Sequence, residues 1–428
     1  MSFSEPPGWE PSAAQQLLLQ ACLAPVDQAS HAIRQWAEQP VHQRRDSGSR
    51  RLMPLLLRRC REIELPATLS AERASWKQEA MRTWQKNHRL LSCANRLASG
   101  LESAGIPVLL IKGLPLALQA YGDLCVRPMA DLDLAVPHRQ ARQAVEALTE
   151  AGWEPLPTPL KGSGDPLTGE GDEQRAEQLA WISRQRRVED FSPLYFHVRH
   201  SHGFRHRDGL EVDLHWSIFQ GQCDPERDDP LWEAAQSLAA INRIPQAPAS
   251  PLLRTPEPAE HLLLLLAHGT RWNRIPPIRW IVDAVMLLRS TPELDWQRFH
   301  SRAQDRNLTL VGAELLTFLR DRFAPEIPLA VIEQLRSTAR SSREHRLYRI
   351  ECAAPGWRCG IEELRYLHRR YRLLRRRPDL RGSMAMPSWP VYLCHVLGAP
   401  GRRDLARYAL SELERRRLPS TGLLRLCG

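Results

Sequence analysis

Apolar residues recur three and four positions apart through most of the first hundred residues. The segments SAAQQLLLQACL, HAIRQWAEQ and ERASWKQEAMRTWQKNHRLLSCANRLASGLESAG carry that spacing, which predicts helices that each bury one stripe. Gly105 is placed to stop the last of them. The pattern then changes period. IPVLLIKG is a short apolar run with a glycine at its exit, the mark of a buried strand, and LPLALQAYG reads as a short helix with Pro115 in its first turn. ADLDLAV alternates like a strand, and PHRQARQAVEALTEAGWEP reads as an amphipathic helix, a glycine stop and another short strand. PLYFHVRHSH and GLEVDLHWSIF, joined by GFRHRDG, read as two strands paired through a turn. Between AGWEP and PLYFHVRHSH, residues 155–190 lose all periodicity in PLPTPLKGSGDPLTGEGDEQ and a charged stretch, which suggests a surface loop or insertion. From about residue 228 helical spacing returns and continues to the end, broken by Pro-rich joints near 245–257 and 376–391.

Two places in the strand region put charge where apolar residues are expected. In RPMADLDLAV, Asp131 and Asp133 leave the same face of an extended segment while Leu132 and Leu134 take the other. Like charges side by side repel unless something positive lies between them, and a divalent cation would serve. In GLEVDLHWSIF, Val212, Leu214 and Trp216 alternate with Glu211, Asp213 and His215, so one face is apolar and the other holds two acids and an imidazole. Taken singly, each pattern is also that of an exposed strand face. Taken together, hard oxygen ligands converging from two strands suit Mg²⁺, and three carboxylates so placed form the type of site used in two-metal phosphoryl transfer.

A phosphate site is expected at the exit of the preceding strand, in LLIKGLP. Gly113 lets backbone approach a ligand, the helix beginning near Leu114 points free N–H groups outward, and Lys112 supplies a point charge. Arg127 is placed either to pair with phosphate or to brace the acids. Further along, His268, Arg271, Arg274 and Arg279 cluster around AHGTRWNRIPPIRW. Arg279 and Asp283 are spaced for an i, i+4 ion pair, and Trp272 and Trp280 are aromatic enough to stack on a base or to fill a core.

The order of these parts, LLIKGLPLALQAYGDLCVRPMADLDLAV, then AGWEP, then GLEVDLHWSIF, resembles the uncharacterised nucleotidyltransferase family of bacteria, a branch of the polymerase-beta-like nucleotidyltransferase superfamily. The likeness continues through AEHLLLLLAHGTRWNRIPPIRWIVDAVMLL and LDWQRFHSRAQDRNLTLVGAELL, so it covers roughly residues 70–330. The resemblance implies an α+β fold, with a small mixed sheet carrying the site and helical regions packed around it. It implies that Asp131 and Asp133 are the metal-binding pair and Asp213 the third acid, that Lys112 and Gly113 lie on the phosphate side, and that two Mg²⁺ ions and a nucleoside triphosphate donor take part; Arg127 and His215, from their positions, are also expected on the nucleotide side. Leu114 stands where the superfamily has a Ser after its Gly, which leaves the grip on the triphosphate open.

On this reading residues 1–104 are an N-terminal helical region and 105–225 the nucleotidyltransferase core with its insertion at 155–190. Residues 226–345 are a helical domain against the site, and 346–428 a basic C-terminal helical region. The acceptor is an unidentified hydroxyl on a small molecule, peptide or protein. Two alternatives keep part of the pattern: a metal-dependent glycosyltransferase using a nucleotide-sugar, and a catalytically weak protein of the same fold that binds RNA or a protein partner.

Composition adjusts this picture only slightly. A formal net charge of +10 invites nucleic acid, but only four of the 59 basic residues are lysine (Lys77, Lys86, Lys112, Lys161) and the arginines are spread along the chain, so specific nucleic-acid binding is not expected. In ELRYLHRRYRLLRRRPDL the residues Leu364, Leu367, Tyr371 and Leu374 keep helical spacing, which reads as a solvated basic face over a packed stripe. Nine scattered cysteines without a CxxC pair read as reduced thiols of a cytoplasmic protein. No secretory leader is expected from MSFSEPPGWEPSAAQQ, and the longest apolar run, HLLLLLAHG, falls well short of the roughly 20 residues a membrane span needs.

Overall fold

The computed structural model describes residues 8–157, 191–219, 229–271, 275–338, 340–352, 357–377, 388–399 and 401–406. The greater part of the insertion expected at 155–190 lies outside them, as do Trp272 and Arg274. The fold is α+β. Seven described strands form one mixed sheet: β1 Leu109–Leu110, β2 Leu132–Ala135, β3 Trp153–Pro155, β4 Ser201–His206, β5 Glu211–His215, β6 Gln236–Ser237 and β7 Arg254–Thr255. Their spatial order is β3-β4-β5-β2-β1-β7-β6. The β2–β5 and β1–β7 pairs are parallel and the others antiparallel.

The two central strands follow from their alternation. Leu132 and Leu134 on β2, and Val212 and Leu214 on β5, are buried against a core that also contains Leu90, Leu97, Val145, Phe204 and Trp216. That core lies between the sheet and the helices Arg73–Ser103 and Ala141–Glu150. A second core joins the N-terminal helices Ala13–Leu23 and Val26–Ala37 to Pro258–Gly269, Arg279–Ser290 and Thr309–Arg322, so stretches far apart in sequence share one apolar interior. Ser12 starts the first of these helices with a reciprocal capping box to Gln15. A third, smaller core packs Leu194 and Val198 against Leu367, Tyr371 and Leu374 and against the Trp389–Leu397 helix.

Three expectations about local structure are corrected. PLYFHV is a helix, Pro193–Val198, rather than strand: Ser192 caps it by accepting from the Tyr195 N–H, and Pro193 fills a first-turn position where a missing N–H costs little. The strand of the hairpin is therefore SHGFRH, and Gly209, with φ +82°, supplies the tight turn into β5. The stretch after residue 228 is not helical throughout, since β6 and β7 extend the sheet edge. On the Trp357–Leu374 helix the stripe is narrower than the spacing suggests: Leu367, Tyr371 and Leu374 are buried, whereas Leu364 is half exposed. Among the described residues no helix is long and apolar enough to cross a membrane.

Candidate active site

The parallel pairing of β2 with β5 sets Asp133 directly opposite Asp213 and Ala135 opposite His215. Two carboxylates facing each other across neighbouring strands repel. Cationic groups resolve the conflict. Lys112 Nζ lies 2.6 Å from Asp133 Oδ1, and His215 Nε2 lies 3.2 Å from the same oxygen and 3.0 Å from Asp213 Oδ2. Ser201 Oγ donates to Asp213 Oδ2 at 3.3 Å. Burial disfavours both ionised acids, but Lys112 and then His215 overcome it at Asp133, as His215 and then Lys112 do at Asp213, and both carboxyls are held well below the usual carboxylate range. His215 is raised above its ordinary value: burial and then Lys112 oppose its charge, and Asp213 together with the hydrogen bonds to both acids outweighs them.

Asp133, Asp213 and His215 each offer one ligand atom within 4.8 Å of one another. Asp131 is not part of that group. It lies in a bend one residue ahead of β2, so the strand alternation that was to set it beside Asp133 does not reach it. Asp131 nonetheless senses the cluster: burial first, then the charges of Asp133 and Asp213, push its carboxyl up to about 6. His215, expected on the nucleotide side, stands within reach of both acids.

Lys112 owes its position to its backbone. It adopts φ 56° and ψ −104°, a left-handed conformation that a residue with a side chain rarely takes. Its N–H donates to His261 Nε2 at 3.0 Å, and burial holds that imidazole neutral by pushing it down to about 4. His261 stands at the head of HLLLLLAHG, where the sequence signals only core. The following Gly113 is needed for close packing, because a Cβ there would meet Met129 Sδ at 2.7 Å and Arg127 Nη1 at 3.1 Å.

Arg127 is committed elsewhere. Its Nε and Nη2 each donate to Asp283 at 2.8 Å, the Tyr121 hydroxyl donates to Asp283 Oδ1 at 2.8 Å, and the Arg127 and Asp283 side chains are 4% and 3% exposed. It braces the loop before β2, which Asn87 also holds by donating to the carbonyls of Leu124 and Arg127. The i, i+4 pair expected between Arg279 and Asp283 does not form; Arg279 donates to the Pro128 carbonyl. Trp280 is core, packed edge-on against Trp9.

The model of a family described as "Uncharacterised nucleotidyltransferase" matches residues 48–324. The chain belongs to that family. No curated protein matches it. The matched stretch contains both acid-bearing strands, Lys112, His261 and the Arg127–Asp283 brace.

A cavity of about 120 Å³ opens beside Asp213 in this nucleotidyltransferase-family region. Lys112, Asp213, His215 and His200 form one end, Ile218, Phe219, Leu264 and Val311 an apolar wall, and His268 and Arg271 a polar edge. The Ser342–Cys352 helix, beyond the matched residues, adds Glu344, Leu347, Tyr348 and Glu351 to the lining. His268 projects into this space, and the protein around it, then the charges of Arg271 and Lys112, hold its imidazole well below its ordinary value. Arg271 Nε lies 3.9 Å from Glu351 Oε2, and both line the cavity.

Proposed function

We propose that the protein is a Mg²⁺-dependent nucleotidyltransferase of the polymerase-beta-like type, which moves a nucleoside monophosphate from a nucleoside triphosphate to a hydroxyl. What supports this most is the parallel β2–β5 register, which faces Asp133 with Asp213, with Lys112 on Asp133 and His215 within reach of both. The donor set fits a divalent ion: two hard carboxylates, an adjacent imidazole, and an ammonium already 2.6 Å from Asp133 where positive charge is wanted. Asp133 and Asp213 would hold the metal, with Asp131 as the further acid that a cation would keep ionised. When bound, the metal neutralises triphosphate charge and polarises the phosphorus under attack.

The remaining chemistry falls to the chain. Asp213 borders the cavity, so an acceptor hydroxyl lying there can give up its proton to that carboxylate as its oxygen bonds to the α-phosphorus. The bond to pyrophosphate breaks and pyrophosphate leaves. His215, at 1% exposure, fixes the two carboxylates relative to each other. Lys112 is the cation available to the phosphates, whereas Arg127 has no part in gripping them because Asp283 holds it. The cavity's apolar wall and its two acids, Glu344 and Glu351, favour a compact acceptor over a nucleic-acid backbone. The test is incubation with each α-labelled triphosphate, Mg²⁺ and cell extract: label should pass to an acceptor and pyrophosphate appear, and an Asp133→Asn variant should transfer none. Equal labelling by that variant would refute the assignment.

A further inference from the structure

We infer that Lys112 is a built-in placeholder for the metal: its ammonium holds the oxygen that the ion must take, so metal entry displaces it and frees it for the triphosphate. The inference rests on the nucleotidyltransferase reading and adds an order of events to it.

Asp133 Oδ1 accepts from Lys112 Nζ at 2.6 Å and lies 3.2 Å from His215 Nε2. A carboxylate oxygen offers two lone pairs, so with both neighbours in place this one has none left for a cation. His215 is fixed between two strands and reaches both acids. Lys112 is the partner able to leave, because its side chain is a flexible four-carbon stem, 15% exposed, at the border of the cavity.

Its placement is specified by the backbone. A side-chain-bearing residue at φ 56°, ψ −104° costs on the order of 1–3 kcal/mol, which persists only where the surroundings over-determine it. Here they do: the Lys112 N–H is tied to His261, and the next residue is pinned under Met129 and Arg127. The strain aims the stem at Asp133. Two carboxylates facing each other across β2 and β5 would otherwise repel in the absence of metal. An ammonium that neutralises them keeps the site folded while empty of metal and lowers its affinity for the ion alone. Triphosphate, by offering the released ammonium a new anionic partner, removes that penalty. Metal and nucleotide therefore bind with positive coupling, each strengthening the other by the same factor.

Lys112→Gly tests this with the backbone unstrained, since glycine accepts positive φ, and removes the stem together with its ammonium. Mn²⁺ binding to the full-length protein is titrated by electron paramagnetic resonance, with and without ATP. The variant should bind Mn²⁺ alone about tenfold or more tightly than wild type, the value of one charge-assisted hydrogen bond, and ATP should improve its Mn²⁺ affinity less than it does in wild type. Lys112→Met, which keeps the stem, should give the same sign and decides the matter if the glycine variant does not fold. Arg271→Met removes a nearby charge without vacating Asp133 and should change Mn²⁺ affinity by less than about threefold. Wild type binding Mn²⁺ with the Lys112 variants equal or weaker overturns the placeholder and leaves the metal site standing. Failure of every form to bind Mn²⁺ overturns both.

Discussion

Asp133 and Asp283 are both enclosed carboxylates bonded to a cation, but their networks are built in opposite ways. Asp283 has one cation and one hydroxyl, both aimed at it with good geometry, and its side chain is 3% exposed. Every lone pair that matters is filled and nothing is left over. Asp133 faces a second acid, Asp213, that borders a cavity; it is bonded to a lysine and shares an imidazole with that acid. The same residue types produce a brace in one place and a reactive surplus of negative charge in the other. What separates the two is the balance of charges and the access to space, not burial alone.

The contrast is broken most severely from the brace side. Asp283→Ala leaves the Arg127 guanidinium buried without its partner, and the loss should be about 3–5 kcal/mol of unfolding free energy, read by urea denaturation. Asp283→Asn should cost less, because the amide oxygen still accepts. If the alanine variant is as stable as wild type, Arg127 is not held as described.

At the other network the effect should move from stability to chemistry. Asp213→Asn should lower nucleotidyl transfer by about 10²–10³-fold, comparable to losing one group that acts on the transition state, while relieving the repulsion with Asp133. His215 and Lys112, which hold Asp213 ionised, lose part of their counter-charge, so the urea midpoint should fall, but by less than for Asp283→Ala because water can reach this partly exposed cluster. A variant of Asp213 that unfolds as readily as Asp283→Ala would erase the distinction between the two sites.

His261 links them, because it holds Lys112 from a fully buried position. Its imidazole is pushed down to about 4, while in the unfolded chain it titrates near 6.5. As pH falls from 6.5 toward 4 the unfolded chain gains a proton that the folded chain refuses, so stability present above that window is lost within it. His261→Gln keeps an acceptor for the Lys112 N–H and removes the titration. Between pH 7 and 4.5 it should lose about 2 kcal/mol less stability than wild type. Parallel losses in the two proteins would show that burial does not hold this imidazole neutral.

How much of this the sequence disclosed depends on the range over which each signal acts. The alternation at Leu132–Ala135 and Glu211–His215 named the strands and put Asp133 and Asp213 among apolar neighbours, because period two is a local property. Periodicity did not pair those strands; the order of motifs suggested that they belong together. Two-residue strands such as β6 and β7 are too short to show a period at all. The Pro193–Val198 helix was hidden by Tyr, Phe and Val, although Ser192 and Pro193 did announce a helix start. Arg127 and Asp283 are 156 residues apart, and local spacing favoured Arg279, one turn away. His261 gave no signal inside an apolar run, and the positive φ of Lys112 leaves no trace in composition.

The smallest effects sharpen the comparison at single hydroxyls. Tyr121 donates to Asp283 at 2.8 Å from a buried position, and Ser201 donates to Asp213 at 3.3 Å beside a carboxylate that is 27% exposed. Tyr121→Phe strips one donor from a closed network and leaves Asp283 with Arg127 alone. A buried hydrogen bond to a charged group is worth about 1.5–3 kcal/mol, and with the bidentate guanidinium retained the cost should fall near the lower end. Ser201→Ala removes a longer bond to an oxygen that His215 also reaches and that water from the cavity can approach, so its cost should stay under about 0.5 kcal/mol. Urea denaturation of both variants measures the difference. The brace should lose more than the cluster for the same deleted oxygen, because a network closed to water has nothing to substitute for the missing donor. Equal losses would mean that the Asp213 side is as sealed as the Asp283 side, and that the cavity does not give the carboxylate the access its chemistry requires.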